Sequence, residues 1–299
     1  MSHVMSLIKR DTKIFYRTKG NIFFSLLAIL ILVALHFAIF RTMYTDNWVQ
    51  IAAQIPGLSA ERLQLQWIAD SLVFAAIIPI GTVTLSLTAL GLMVADRETN
   101  ALSDFLVSPI RRNSLLASYL LSSFFVGFVM LLGFVVFFHI YFLIVYGVGF
   151  TLLQIGLILL GTIGSLIFGN VFMLLLVSFL KTEQTLSAVG AVVGTFIGFL
   201  AGAYIPLGMF GETVGTVFSA LPFAQLTILV RGAFLQTLET VTPLTHEMIS
   251  GEIARGFGIE LWLGDRLIPL WGAALMAGGI TLILFLCLII RFAKMKKAD

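Results

Sequence analysis

Long apolar runs separated by short polar segments dominate the chain. Between Asn113 and Leu180 there are 68 residues without a formal charge, interrupted only by the turn-like sequence YGVGF at 146–150. Runs of about 20 apolar residues can cross a ~30 Å hydrocarbon core as helices. The pattern therefore predicts six spanning helices, over residues 22–43, 71–95, 114–145, 151–180, 184–209 and 267–290.

Composition agrees with this pattern. Hydrophobic residues make up 59% of the 299 positions and charged residues 11%, and the mean hydropathy is +1.06, far from the balance of a soluble domain. We expect one all-α integral membrane domain over 1–299. Only one cysteine, Cys287, is present, so no disulfide within the chain is possible.

The basic residues indicate how the spans are oriented. If the N-terminus is cytoplasmic, thirteen of the 18 Lys and Arg residues fall in inner segments and five in outer ones. Cytoplasmic loops carry such an excess. Both termini are therefore expected on the cytoplasmic side of the plasma membrane.

Two segments outside the six spans also have membrane-like patterns. Residues 1–20 place apolar side chains near one helical face and cations on the rest, which predicts a helix lying in the interface; a basic leader that only sets topology is the alternative. Residues 212–235 are largely uncharged, but Pro222 interrupts them and Arg231 follows. We predict re-entrant helices there rather than a seventh span.

Glycine recurs every fourth residue in the fifth predicted span, at Gly190, Gly194, Gly198 and Gly202. This spacing puts all four on one stripe of a helix, where another backbone can approach closely. Packing within the chain is the favoured interpretation, and a seam between two subunits is the alternative.

Residues for independent chemistry are missing from the sequence. No lysine stands in a GxxxxGK[ST] phosphate-binding loop, and the four histidines form no metal-ligand spacing. Apart from Cys287 and tyrosines, only His36 and His139 are ionisable within the uncharged runs of the predicted spans; Arg41 follows the first of these runs, which is 22–40. A secondary carrier or channel, the main alternative function, usually holds charge at membrane depth. An intramembrane enzyme would need grouped catalytic side chains there, so we predict no catalytic or metal site.

The segment between the second and third spans has a different character. Over residues 97–108, one face of a short helix would be apolar and the remainder polar, with Pro109 ending it. An apolar patch held at the end of two spans is suited to docking a partner. An interfacial turn resting on lipid is the alternative.

This segment, RETNALSDFLVSPIRRNSLLASYL, resembles the type-2 ABC transporter permeases, which carry T/A-L-x-x-L/F-L-x-S/T-P-x-x-R between their second and third spans. The likeness extends to Ala201–Leu235, where Pro206, Pro222 and Arg231 match landmarks of the family's re-entrant region. The glycine of the family's E-x-G-T pattern is missing, since Glu98 is followed by Thr99-Asn100-Ala101. Residues 236–265 are also longer and more acidic than the resemblance predicts.

The resemblance implies a coupling helix that docks on a cytoplasmic ATPase, which would bind the ATP and Mg that this chain does not. It implies that the docking residues are Arg97, Glu98, Ala101, Leu102, Asp104, Phe105, Leu106 and Pro109. It also implies a second permease subunit, identical or paralogous, and no nucleic-acid partner. The apolar, phenylalanine-rich spans favour an amphiphilic export substrate: a drug, an antibiotic peptide or a lipid-linked molecule.

Overall fold

The structure is a bundle of long helices. The computed structural model describes residues 2–55, 58–101 and 112–294, and the chain is 82% helical. A first helix, α1 (Ser2–Arg17), precedes the bundle. The next two, α2 (Lys19–Leu35) and α3 (Arg41–Gln54), are joined through one π-helical turn, His36–Phe40.

Six candidate spans are present among the described residues, which confirms the predicted all-α membrane fold. The continuous α2–α3 rod is the first of them. The remaining five are α4 (Arg62–Glu98), α5 (Arg112–Tyr146), α6 (Leu152–Val177), α7 (Glu183–Leu200) and α12 (Leu270–Lys294).

The helix α4 is the centre of the bundle. Buried residues make up 89% of its most apolar window, against 22% or less in the first, third, fifth and sixth spans. It packs against α2, α3, α5, α6 and α7. The first, third and fifth spans therefore keep one apolar face toward the hydrocarbon and give the other to α4, whereas α12 packs on α6 and α9.

The two ends of the bundle differ in chemistry. At one end, the guanidinium of Arg97 in α4 bonds the backbone after α6, and Arg291 of α12 lies 4.6 Å from the Phe179 ring centroid. We call this the basic end. At the other end, Trp48 of α3 stacks on Phe257 with ring centroids 4.4 Å apart. We call this the hairpin end, because a small β-hairpin follows Phe257.

Several helices differ from their predicted bounds. The first rod continues to Gln54 rather than 43, and α4 begins at Arg62 rather than 71 because Glu61 and Gln64 form a reciprocal capping box. By contrast, α7 ends at Leu200 rather than 209. Gly202 has a φ of +62° there, the left-handed conformation that commonly ends a helix.

Short elements connect α7 to α12 at the hairpin end. A 3₁₀ turn (Leu207–Phe210) precedes α8 (Glu212–Ser219) and α9 (Pro222–Phe234), which meet at 82°. Proline at the first position of α9 fits this break, since a helix start needs no N–H there. The angle suits a re-entrant loop or a broken span, so the re-entrant assignment of 212–235 stays a prediction.

The rest of this region folds as small elements that the sequence did not predict. These are a 3₁₀ turn (Leu235–Thr237), α10 (Leu238–Val241), α11 (Glu252–Phe257), β1 (Leu261–Leu263) and β2 (Arg266–Ile268). The two strands pair antiparallel, with Leu261 opposite Ile268. Gly264, at φ +59°, makes the turn between them.

Candidate coupling site and buried charges

Only three of the eight predicted coupling residues lie among the residues that the structure describes. Leu102, Asp104, Phe105, Leu106 and Pro109 lie outside the described residues, so the docking face stays a prediction. Arg97, Glu98 and Ala101 are described: the first two form the last turn of α4, and Ala101 follows it where that segment begins.

Polar contacts fasten the end of α4 to the turn between α6 and α7. The Arg97 guanidinium donates to the backbone oxygens of Leu180 and, at 3.4 Å, Ser178. The Glu98 carboxylate accepts a 2.7 Å hydrogen bond from the backbone N–H of Glu183. That N–H is at the first turn of α7, where the helix dipole favours an anion. A displacement of the α4 end would therefore be transmitted to two further spans.

Asn100 explains how the chain tolerates the missing glycine. It stands where the family pattern E-x-G-T has glycine, and its φ is 61°. Asparagine is one of the few residues with a side chain that adopts this left-handed conformation readily. The backbone can thus leave α4 as it would with glycine.

The N-terminal helix is joined to the same end through buried acids. The Asp96 carboxylate accepts from Arg10 of α1 and, at 2.7 Å, from the Tyr119 hydroxyl of α5. Asp11 lies 3.4 Å from the Arg10 guanidinium and 3.4 Å from the Ser122 hydroxyl that donates to it. Burial raises the pKa of Asp11 to about 6. Consequently α1 bridges α4 and α5, the two helices that the segment 102–111 connects.

A second charged cluster lies inside the bundle toward the hairpin end. Asp70 of α4 is fully buried. One carboxylate oxygen lies 2.7 Å from His36 Nε2 and 3.3 Å from Arg41 Nε. The other accepts from the hydroxyls of Tyr141 and Tyr146, at 2.6 and 2.5 Å.

This cluster corrects one expectation. The predicted second span began at Ser71, and the uncharged runs of the six spans were expected to hold no Asp, Glu, Lys or Arg. However, α4 begins earlier and includes Asp70 in its buried part. The carboxylate can be buried because His36, Arg41 and two tyrosines surround it, and those partners come from distant positions in the chain. The only local signal was an acid directly adjoining an apolar run.

Arg231 holds the region after α9 against the core. Its guanidinium is buried and donates only to backbone oxygens among the described residues: Leu72 at 3.1 Å, Gly202 at 2.7 Å, Gly258 at 2.8 Å and Phe257 at 3.4 Å. It thereby joins α4, the turn after α7 and the end of α11. Pro206 caps the 3₁₀ turn, and Pro222 begins α9.

The four glycines of the predicted stripe have different surroundings. A Cβ at Gly190 would lie 3.3 Å from the Leu87 side chain, and one at Gly198 would clash with the Tyr204 ring. Gly194 faces open space, and Gly202 lies beyond the end of α7. A Cβ at Gly202 would lie 2.9 Å from the Leu207 side chain. Three of the four are therefore packed within this chain, and only Gly194 leaves room for another molecule.

The side chains in the described ranges offer no cluster of three or more His, Cys, Asp or Glu that could hold a metal ion. His139 accepts a 3.0 Å hydrogen bond from the backbone N–H of Phe150. His36 is occupied by Asp70. These two histidines are thus engaged in contacts within the chain.

Comparison with known proteins identifies the family. A family model described as ABC-2 family transporter protein matches residues 43–291. The match runs from α3 to the last turn of α12 and includes the segment between α4 and α5. No curated protein and no solved structure matches the chain.

Proposed function

Because the chain belongs to the ABC-2 transporter family, whose members are membrane subunits of ABC systems, we propose that it is the permease of an ATP-driven exporter. A separate ATPase would hydrolyse the nucleotide. Force would enter at 97–109, where the predicted coupling helix meets that ATPase.

The contacts around the end of α4 are the observation that carries this proposal. Arg97 and Glu98 connect α4 to α6 and α7, and Asp96 connects it to α1 and α5. Five helices are thus mechanically linked at the point where a docked partner would push. Packed helices respond to such a push by moving as bodies between discrete arrangements.

The same proposal assigns the basic end to the cytoplasm. The excess of Lys and Arg supports this orientation, and an ATP-hydrolysing partner requires it. The hairpin end would then face outward. A second permease subunit would complete the pathway, with Gly194 and the exposed face of α7 available for that contact.

An amphiphilic substrate is the class that the spans favour. Exposed phenylalanine and aliphatic side chains cover α2, α5 and α12. Of the described charged groups within the bundle, Asp70 is paired with His36 and Arg41, and Arg231 donates to backbone oxygens. A strongly charged solute would find no free counter-charge there. Drugs, antibiotic peptides and lipid-linked molecules meet this condition.

One observation favours the alternative of an ATPase-independent carrier. Asp70, with His36 and Arg41, places charge inside the bundle, as ion-coupled carriers do. However, four side chains already satisfy the Asp70 carboxylate. We therefore assign this cluster to structure.

Aspartate substitutions on the predicted docking face test the proposal. Leu102→Asp and Phe105→Asp would place an unpaired charge in the ATPase contact, so we expect loss of co-purified ATPase and of ATP-driven transport in proteoliposomes. Ser103→Asp is the matched control, because its helical phase puts it on the opposite side. Unchanged ATPase binding and transport in both face variants would reject the docking role, and transport without ATP would favour the carrier.

A further inference from the structure

A long groove opens on the outside of the bundle between α5 and α12. It has a volume of about 1270 Å³ and is floored by α6 and α9. From Leu157 to Val171 it follows α6 for roughly 21 Å, at ~1.5 Å per residue. This is about two thirds of the ~30 Å hydrocarbon core. We call it the lateral groove.

Small residues create the space. Gly164 of α6 and Gly278 of α12 both line the lateral groove, and a Cβ at either position would meet no atom within 4 Å. Larger side chains at these positions would occupy part of the recess. The recess is therefore encoded in the sequence, and leaving it empty would forfeit dispersion contacts along its walls.

The chemistry of the groove changes along its length. Its middle is aliphatic and aromatic, whereas Gln236, His246 and Trp271 line it at the hairpin end. Trp271 is 70% exposed, as expected for an aromatic side chain at the level of lipid headgroups. None of the described lining residues is acidic, and the nearby Glu239 carboxylate accepts a 3.0 Å hydrogen bond from the backbone N–H of His246, which leaves the Gln236 amide and the His246 ring as the donors for a phosphate.

A buried polar atom lies toward the other end. Asn170 lines the groove and is only 3% exposed. Its Nδ2 donates to the Leu166 backbone oxygen, but its Oδ1 has no hydrogen-bond partner among the described residues. A hydrocarbon chain offers this acceptor no donor, so Asn170 marks a polar point in the groove wall and does not by itself identify what the groove binds.

We propose that the lateral groove is a binding site for a bilayer glycerophospholipid. One acyl chain lies along α6, and the phosphate and glycerol lie beside Gln236 and His246. The groove continues into the exposed apolar faces of α5 and α12, such as Leu121 and Leu282. Membrane lipid therefore has direct access to it, and a flexible chain can fill a recess this irregular.

Filling the groove tests the proposal. Gly164→Phe and Gly278→Phe should reduce phospholipid retained by the purified protein at least about tenfold, ~1.4 kcal/mol, by native mass spectrometry. Gly156→Phe and Gly279→Phe are the matched controls: both sites are exposed helix glycines with no atom within 4 Å of an added Cβ, and neither lines the groove. Equal retention in all four variants would overturn the proposal.

Two further measurements keep the test decisive. In the unsubstituted chain, phospholipid brominated on its acyl chain should quench the part of the tryptophan fluorescence that Trp271→Phe removes; no such quenching would contradict lipid occupancy. If the groove-filling variants instead lose a dimer while retaining lipid, a second copy of this chain covers the groove and the lipid assignment is wrong. Neither readout depends on the ATPase, so the outcome is separable from the proposed function.

Discussion

Two buried carboxylates, Asp70 inside the bundle and Asp96 at the basic end, are surrounded by similar groups but join different kinds of element. Each carboxylate pairs with an arginine, and each accepts from tyrosine, two hydroxyls at Asp70 and one at Asp96. Asp70 is enclosed by the first, second and third spans. Asp96 instead connects two spans to α1, a helix outside the bundle, and its Arg10 partner is 29% exposed.

The two clusters show that a carboxylate held by arginine and tyrosine can form either a permanent contact between spans or a contact that can separate. Four side chains satisfy Asp70, and none of them can withdraw without disturbing a span. At the basic end, Arg10 is already partly in water, so if α1 moved away the main cost would be the lost burial of Leu7 and Phe15 and not an unpaired cation. We therefore regard the Asp70 cluster as a lock and the Asp96 cluster as a joint, placed beside the segment expected to receive force.

Removing the lock should have the largest effect. Asp70→Ala leaves His36, Arg41 and two tyrosine hydroxyls without their acceptor inside the bundle, and breaking a buried charge pair typically costs about 3–5 kcal/mol. We expect a large loss of thermal stability in detergent. The control is Asp46→Ala, which breaks the exposed Arg62–Asp46 pair and should cost less than about 1 kcal/mol. Equal stability of the two variants would show that Asp70 is not a lock.

Breaking the joint should have a smaller and local effect. Asp96→Ala removes the acceptor of Arg10 and Tyr119, and hydrogen bonds to a charged group contribute about 1.5–3 kcal/mol. Because Arg10 can regain water, we expect faster amide hydrogen exchange in α1 while α4 keeps its protection. Tyr119→Phe removes one of the two bonds and should have an intermediate effect. Uniform loss of protection across the bundle would mean that the two clusters do not differ in kind.

The spans could be predicted from the sequence because each is a long run without charge, a local property. The segment 97–109 could be singled out for the same reason, since its charges interrupt two such runs. Asp70 could not be placed, because its burial depends on His36, Arg41, Tyr141 and Tyr146, which only the tertiary fold brings together.

The details of the hairpin end could not be predicted from the sequence either, for the same reason. The early end of α7 follows from Gly202, whose left-handed φ was hidden within an otherwise regular glycine spacing. The role of Arg231 depends on four backbone oxygens from other elements. No pattern in the sequence predicts such partners. In contrast, Asn100 could be interpreted as soon as the family pattern supplied the expectation of glycine.

The smallest expected effect concerns the protonation of Asp11. It tests whether the contact between α1 and the bundle responds to pH while the Asp70 cluster does not. Burial raises its pKa from 3.8 to about 6 when α1 is docked, beside Arg10, Asp96, Tyr119 and Ser122. The docked state therefore binds more protons between these two values, and docking weakens as the pH rises through that window.

From about pH 5 to about pH 7 the change should be about 1 kcal/mol, visible as faster hydrogen exchange in α1 at the higher pH after correction for intrinsic rates. Asp11→Asn should remove this dependence, because the amide does not titrate, whereas exchange in α4 should not respond in either protein. A pH response of α1 that persists in Asp11→Asn would assign the titration to another group. If α1 docks separately from the bundle, its hydrogen exchange should respond to pH while that of α4 does not.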